Sequence, residues 1–133
     1  MQISTTTLDA LQPPTYLITG GTGSFGSAFA SRLLSDPGGP RIRIFSHDEH
    51  KQDAMASACP AGPRLTYIIG DVRDGQQLIT AADNCQVIVH AAALKIVRQG
   101  EQHPQEFIKT NISGTSNICA AAIANRVFKS LLI

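Results

Sequence analysis

Tyr16-Leu17-Ile18-Thr19-Gly20-Gly21-Thr22-Gly23-Ser24-Phe25-Gly26 reads as an apolar strand, a glycine-rich turn and the start of a helix, whose pattern continues through Phe29 and Leu33. A buried strand that turns sharply into a helix leaves the first helical N–H groups unpaired and aimed at one spot. The helix dipole favours negative charge at that spot, which makes it a seat for a phosphate. Gly20 suits the tight turn, Gly23 lets the backbone approach a pyrophosphate, and Gly26 lets helix and strand pack closely. Glycine-rich turns are common, so the triplet gains its meaning from context: a strand before it, a helix after it, and a second strand, Arg41–Ser46, at the right distance. Dinucleotide binding is the expectation, and a turn that merely joins strand to helix is the alternative.

The same alternation runs through the rest of the chain. Strands are expected at 15–19, 41–46, 64–69 and 86–90, and a fifth begins near Phe128. Helices are expected at 24–35, 48–58, 75–82 and 103–125, the last with Pro104 in its first turn. Asp36-Pro37-Gly38-Gly39-Pro40 and Cys59-Pro60-Ala61-Gly62-Pro63 stop the first two helices. This order predicts an α/β, Rossmann-like parallel sheet of about five strands in the order 3-2-1-4-5, with right-handed crossovers. Residues 1–14 form a polar lead-in ending in Pro13-Pro14, and residues 15–133 form one cofactor-binding domain. The sequence stops at Ile133 while strand five is still running, which leaves Phe128, Leu131, Leu132 and Ile133 on an apolar edge. The expectation is the N-terminal piece of a longer protein, with dimerisation through that edge as the alternative.

At 133 residues and 43% hydrophobic content the chain suits one globular domain. A net charge of +1 without a basic run argues against nucleic acid or an anionic membrane surface as the main partner. No apolar run is long enough to span a bilayer and no signal peptide is visible, so a cytoplasmic location is expected. Cys59, Cys85 and Cys119 are odd in number and widely spaced, which suits neither a disulfide framework nor a metal site. Cys85 and Cys119 are expected in the core and Cys59 in a loop.

In such a sheet, ligands bind outside the carboxyl ends of the strands at the switch point between strands one and four. After strand two the chain offers Ser46, His47, Asp48, Glu49, His50 and Lys51 to an adenosine ribose. Asp48 alone suits the 2′-hydroxyl of NAD, while Ser46, Lys51 and His47 suit the 2′-phosphate of NADP. The plainer reading makes Asp48 a helix cap and Glu49 a first-turn acid. Asp71 at the tip of strand three is placed to accept an adenine amino group, with Val72 packed on the ring; a simple Gly-Asp turn is the alternative. Ala91 and its two following alanines give a flat ligand room against the backbone, and Lys95 can reach a phosphate or ribose. His90 reads as a hydrogen-bonded core histidine. Thr110 and Asn111 interrupt an apolar stripe of Phe107, Ile108 and Ile112, either as a helix-to-strand clasp or as supports of the cofactor loop.

Several segments together resemble the extended short-chain dehydrogenase/reductases. They are Thr19-Gly20-Gly21-Thr22-Gly23-Ser24-Phe25-Gly26, Ser46-His47-Asp48-Glu49-His50-Lys51-Gln52 and Gly70-Asp71-Val72-Arg73-Asp74. His90-Ala91-Ala92-Ala93-Leu94-Lys95 and Lys109-Thr110-Asn111, with Gly114 and Asn117 after them, complete the set. More narrowly the chain resembles the UDP-N-acetylglucosamine 4,6-dehydratases of polysaccharide and flagellin-sugar biosynthesis. That resemblance implies NADP, with NAD as the alternative, a nucleotide-sugar substrate and a homo-oligomer for the full-length enzyme. It implies oxidation at C4 of the sugar, loss of water across C5 and C6, and return of the hydride to C6. It also implies cofactor contacts from Thr22, Gly23, Ser24, Phe25, Ser46, His47, Asp48, Glu49, His50, Lys51, Asp71, Val72, Ala91, Lys95, Thr110 and Asn111. The chain departs from the family where His47 stands for the usual arginine, which makes the grip on a 2′-phosphate pH-dependent, and near Arg98, where proline is usual. The family's Thr-Asp-Lys and Tyr-x-x-x-Lys motifs would fall beyond Ile133, so the resemblance implies no catalytic residue within this sequence. A sugar-nucleotide 4-epimerase and a non-catalytic dinucleotide-binding module are the alternatives.

Overall fold

The computed structural model describes residues 12–92 and 102–133. Strands β1 (Thr15–Thr19), β2 (Arg41–Ser46), β3 (Leu65–Ile69), β4 (Val87–His90) and β5 (Lys129–Leu132) form one parallel sheet in the order β3-β2-β1-β4-β5. Between them run α1 (Ser24–Leu34), α2 (Glu49–Ala58) and α3 (Gly75–Ala81). The β4–β5 connection carries α4 (Pro104–Phe107), a π-helical segment (Ile108–Ser113) and α5 (Gly114–Ala124).

Both faces of the sheet are covered, and that is why the central strands read as near-continuous apolar runs. Ile18, Ile42, Ile44 and Val89 pack with Ala30 of α1, with Phe29, Leu33 and Met55 against them. Leu17, Phe45 and Ile88 pack on the other face with Leu78 of α3 and Ile118 and Ala121 of α5. Arginines tie helix ends to the strand layer. Arg43 of β2 donates to the carbonyls of Ala81 and Asp83 at the end of α3, at 2.7 and 2.6 Å. Arg64 reaches the carbonyls of Leu33, Pro37 and Pro40 around the end of α1. A cation at a helix C-terminus meets both the unpaired carbonyls and the negative end of the dipole.

Two expectations need correction. The segment 103–125 is not one α-helix, because six residues, Ile108–Ser113, form the wider π turn. That turn throws the faces out of the 3.6-residue phase, so the stripe through Ile108 and Ile112 is not a packed face: they are 53% and 66% exposed. Cys119 is exposed, because it lies off the α5 face carried by Ile118 and Ala121. Cys59 lies past the end of α2, outside the helix as expected; it is half-buried against the core, and its carbonyl accepts the Tyr67 hydroxyl at 2.6 Å.

Candidate functional site

The turn after β1 is tightly drawn. Gly20 has φ of 65°, the left-handed region, and its N–H donates to the Phe45 carbonyl at 2.9 Å. Gly23 sits at the N-cap of α1 in extended conformation, with no side-chain cap and no acid in the first turn. Here α1 differs from α2 and α3, whose mouths are filled by the carboxylates of Asp48 and Asp74. The first N–H groups of α1 are therefore left for an outside anion. A Cβ on Gly26 would lie 2.5 Å from the Gly20 carbonyl oxygen, so glycine there allows the close approach of helix and turn.

A cleft of about 480 Å³ opens at the strand tips. Gly20, Thr22 and Gly23 line it from the β1 turn, and Ser46, His47, Asp48 and Lys51 from the end of β2. Gly70, Asp71, Val72 and Arg73 come from the end of β3, Ala91 and Ala92 from β4, and Glu106 and Thr110 from the α4 side. The topology thus gathers most of the residues singled out from sequence. Ser24, Phe25, Gly26, Glu49, His50 and Asn111 are not among its lining residues; Phe25 instead stacks on Phe29, ring centroids 5.6 Å apart. Lys95, Ala93 and Arg98 lie outside the described residues.

Several of these side chains already have structural partners. Asp48 caps α2 through the Lys51 N–H at 3.0 Å, and that bond is the main reason its carboxyl is held below the usual range. The cap reading is therefore correct for Asp48, and Glu49 stands in the first turn as expected. The Lys51 ammonium is 67% exposed and only loosely paired with Asp48 at 4.0 Å, which leaves it accessible from the cleft. Ser46 is buried and accepts from Gln52 at 3.0 Å; Gln52 also donates to the Ile68 carbonyl, tying β2 to β3 beneath the site.

The β3 tip is built by residues that periodicity does not mark. Asp71 accepts from the Arg73 backbone N–H and from the guanidinium, whose Nη1 reaches Glu106 at 2.6 Å. These bonds, led by the guanidinium, hold the Asp71 carboxyl below the usual range against an opposing contribution from burial. Gln77 accepts the Asp71 N–H, and Asn117 of α5 donates to the Val72 carbonyl at 3.0 Å. Gly114 lets α5 press on Val72, since a Cβ there would lie 3.0 Å from a Val72 methyl. Gly114 and Asn117 therefore support the β3 tip; sequence reading considered a supporting role for Thr110 and Asn111.

The helix-to-strand clasp is made at His90. Its Nδ1 lies 2.7 Å from the Thr19 hydroxyl and its Nε2 3.4 Å from the Thr115 hydroxyl. Thr115 spends its proton on the Asn111 carbonyl at 2.7 Å, so it accepts from Nε2–H, and the Thr19 hydroxyl donates to Nδ1. Burial lowers the pKa of His90 and keeps the ring neutral in this chain of bonds. A second cleft, about 500 Å³, lies between α3 and strands β2 and β3. Its principal polar groups are committed, Arg43 to carbonyls, Asp74 to the α3 mouth and Gln77 to Asp71.

A parallel sheet of this order, with an open helix mouth at its switch point, defines a Rossmann-like domain. The chain belongs to the polysaccharide biosynthesis protein family, whose profile matches residues 16–133. It is 45% identical over 117 residues to a UDP-N-acetylglucosamine 4,6-dehydratase (inverting) of Campylobacter jejuni, covering 88% of this chain and 35% of that protein. It is also 45% identical over 122 residues to a UDP-glucose 4-epimerase of Rickettsia rickettsii, covering 90% of this chain and 36% of the other. Among solved structures it superposes on the dTDP-glucose 4,6-dehydratase DesIV from Streptomyces venezuelae, which holds NAD, with a TM-score of 0.78 and 28% identity over 87% of this chain and 38% of that one. The chain spans about a third of the length of the curated relatives it matches, 35% and 36%.

Proposed function

We propose that this chain is the N-terminal, NADP-binding part of a nucleotide-sugar 4,6-dehydratase of the UDP-N-acetylglucosamine class, and that it binds cofactor without turnover. The observation that carries the proposal is the meeting, in one cleft, of the uncapped α1 mouth with the tips of β2 and β3. The N–H groups at the start of α1, with Thr22 and Ser24, would hold the pyrophosphate, and Phe25 would flank it. Ser46, His47 and Lys51 would meet a 2′-phosphate, with Asp48 fixing the loop. Asp71 would accept the adenine amine and Val72 would pack on the ring. Ala91 and Thr110 would flank the flat ligand in the cleft, and the resemblance adds Lys95 and Asn111 as contacts. When bound, NADP supplies reversible hydride transfer to the sugar. Calorimetric titration with NADP+ and NAD+ tests the proposal: saturable binding with NADP+ the tighter supports it, and absence of heat with both overturns it.

A 4-epimerase is the second reading, favoured by the equal identity to the Rickettsia rickettsii enzyme. The coding sequence immediately downstream of Ile133 separates the two. The dehydratase reading requires a Thr-Asp-Lys motif there, because eliminating water needs the acid–lysine pair.

A further inference from the structure

His90 stands where three parts of the site are joined. It ends β4 and is the register partner of Thr19, which ends β1. Both side chains are buried on the sheet face that carries Leu17 and Ile88, opposite α1. Thr19 is held twice there, its hydroxyl by Nδ1 at 2.7 Å and its carbonyl by the Ala91 N–H at 3.0 Å. On the far side Nε2 meets Thr115, whose hydroxyl closes on the Asn111 carbonyl in the π segment. The residue after each strand lines the cleft. Gly20 presses so closely on Ala91 and Ala92 that a Cβ would lie 2.7 Å from their backbone atoms. The Gly20 carbonyl in turn accepts the Gly23 N–H at the α1 mouth, at 3.0 Å. A shift of β1 against β4 is therefore passed to the glycine turn and to Ala91 together.

The ring serves both hydroxyls only while neutral, with one nitrogen accepting and the other donating. Protonation sets a second N–H against the Thr19 hydroxyl, whose own proton then loses its acceptor. Its neighbours Thr19 on β1, Leu132 on β5 and Thr115 on α5 carry no charge, and among the described residues burial alone shifts its titration. A buried imidazolium there has no counter-charge to offset its desolvation.

We infer that His90 is the positioning residue of the cleft: its neutral ring holds the glycine turn and Ala91 at the spacing a dinucleotide needs, so that ligand binding and protonation of His90 exclude one another. The inference rests on the dinucleotide reading of the cleft.

The test follows the His90 ring by NMR through an acid titration of the wild type, free and saturated with NADP+. The midpoint should fall by about one pH unit on binding, the counterpart of an affinity about tenfold lower for the protonated protein. Calorimetry gives a second reading. His90→Gln should bind NADP+ about tenfold more weakly than the wild type at about pH 8, and the gap should narrow towards about pH 5.5 as the wild type loses its neutral ring. Titration of His47 or of the ligand's own phosphate acts on both proteins alike and leaves that ratio unchanged. Should the variant fail to fold, the wild-type midpoint alone decides. A midpoint unmoved by NADP+, or a ratio independent of pH, overturns the inference. So does a midpoint that rises, which would make the ring a cation for the phosphates. A wild type that binds no NADP+ overturns the dinucleotide reading itself, and this inference with it.

Discussion

Gly20 joins a left-handed φ of 65° to a site where a Cβ would lie 2.7 Å from the Ala91 carbonyl and the Ala92 nitrogen. Neither neighbour is a flexible side-chain end, so both the conformation and the space exclude a side chain. Gly20→Ala should destabilise the fold by about 2 kcal/mol or more, read as a drop in the chemical-denaturation midpoint. His90 makes a different demand. Its ordinary pKa of 6.5 is lowered by burial. Above that value the ring is neutral in both folded and unfolded chains, and the contribution to stability is full. As pH falls below it the unfolded chain takes up the proton first, so stability is lost down to the depressed folded value. The thermal midpoint should therefore fall between about pH 7.5 and about pH 5.5, and His90→Gln should show a smaller fall. A wild type and variant that respond alike would assign the loss elsewhere. Cys85 is inert over that range, since burial lifts its thiol to about 11.

Local pattern was legible wherever the chemistry was local. β1 and β2 coincide with the expected spans because short apolar runs bounded by glycine, proline and polar residues leave little choice. Asp48 was readable as a cap from its place before a helix. The π turn of Ile108–Ser113 was not, because the spacing of its apolar residues does not mark a wider turn. Arg73 was missed because its meaning lies in Glu106, 33 residues away in sequence. The arginines that close helix ends belong with these long-range features. Replacing Arg43 with methionine strips the carbonyls of Ala81 and Asp83 of their donor and should cost about 1–3 kcal/mol, measured by denaturant unfolding. At the end of α5, Arg126 adopts a φ of 52° that glycine takes without strain. Arg126→Gly should raise stability by up to about 1 kcal/mol.

The molecule as a whole is a sheet with a cleft at its switch-point end and exposed apolar residues along one flank. Phe128 is 81% exposed and Ile123 80%, and Leu131, Leu132 and Ile133 are exposed beside them. Such a flank on an edge strand favours association. The 133-residue chain should sediment as a concentration-dependent oligomer, and Leu131→Lys should shift it towards monomer; a wild type that stays monomeric at high concentration contradicts this. The cleft lies at the other functional level, where α1, β2 and β3 converge on one volume. Titration of NADP+ followed by backbone amide NMR tests that convergence most directly. The largest shifts should fall together at Gly23, Ser24, Ser46 and Asp71. Shifts confined to the groove beside α3, or to β5, would place the ligand elsewhere and contradict a dinucleotide held across the strand tips.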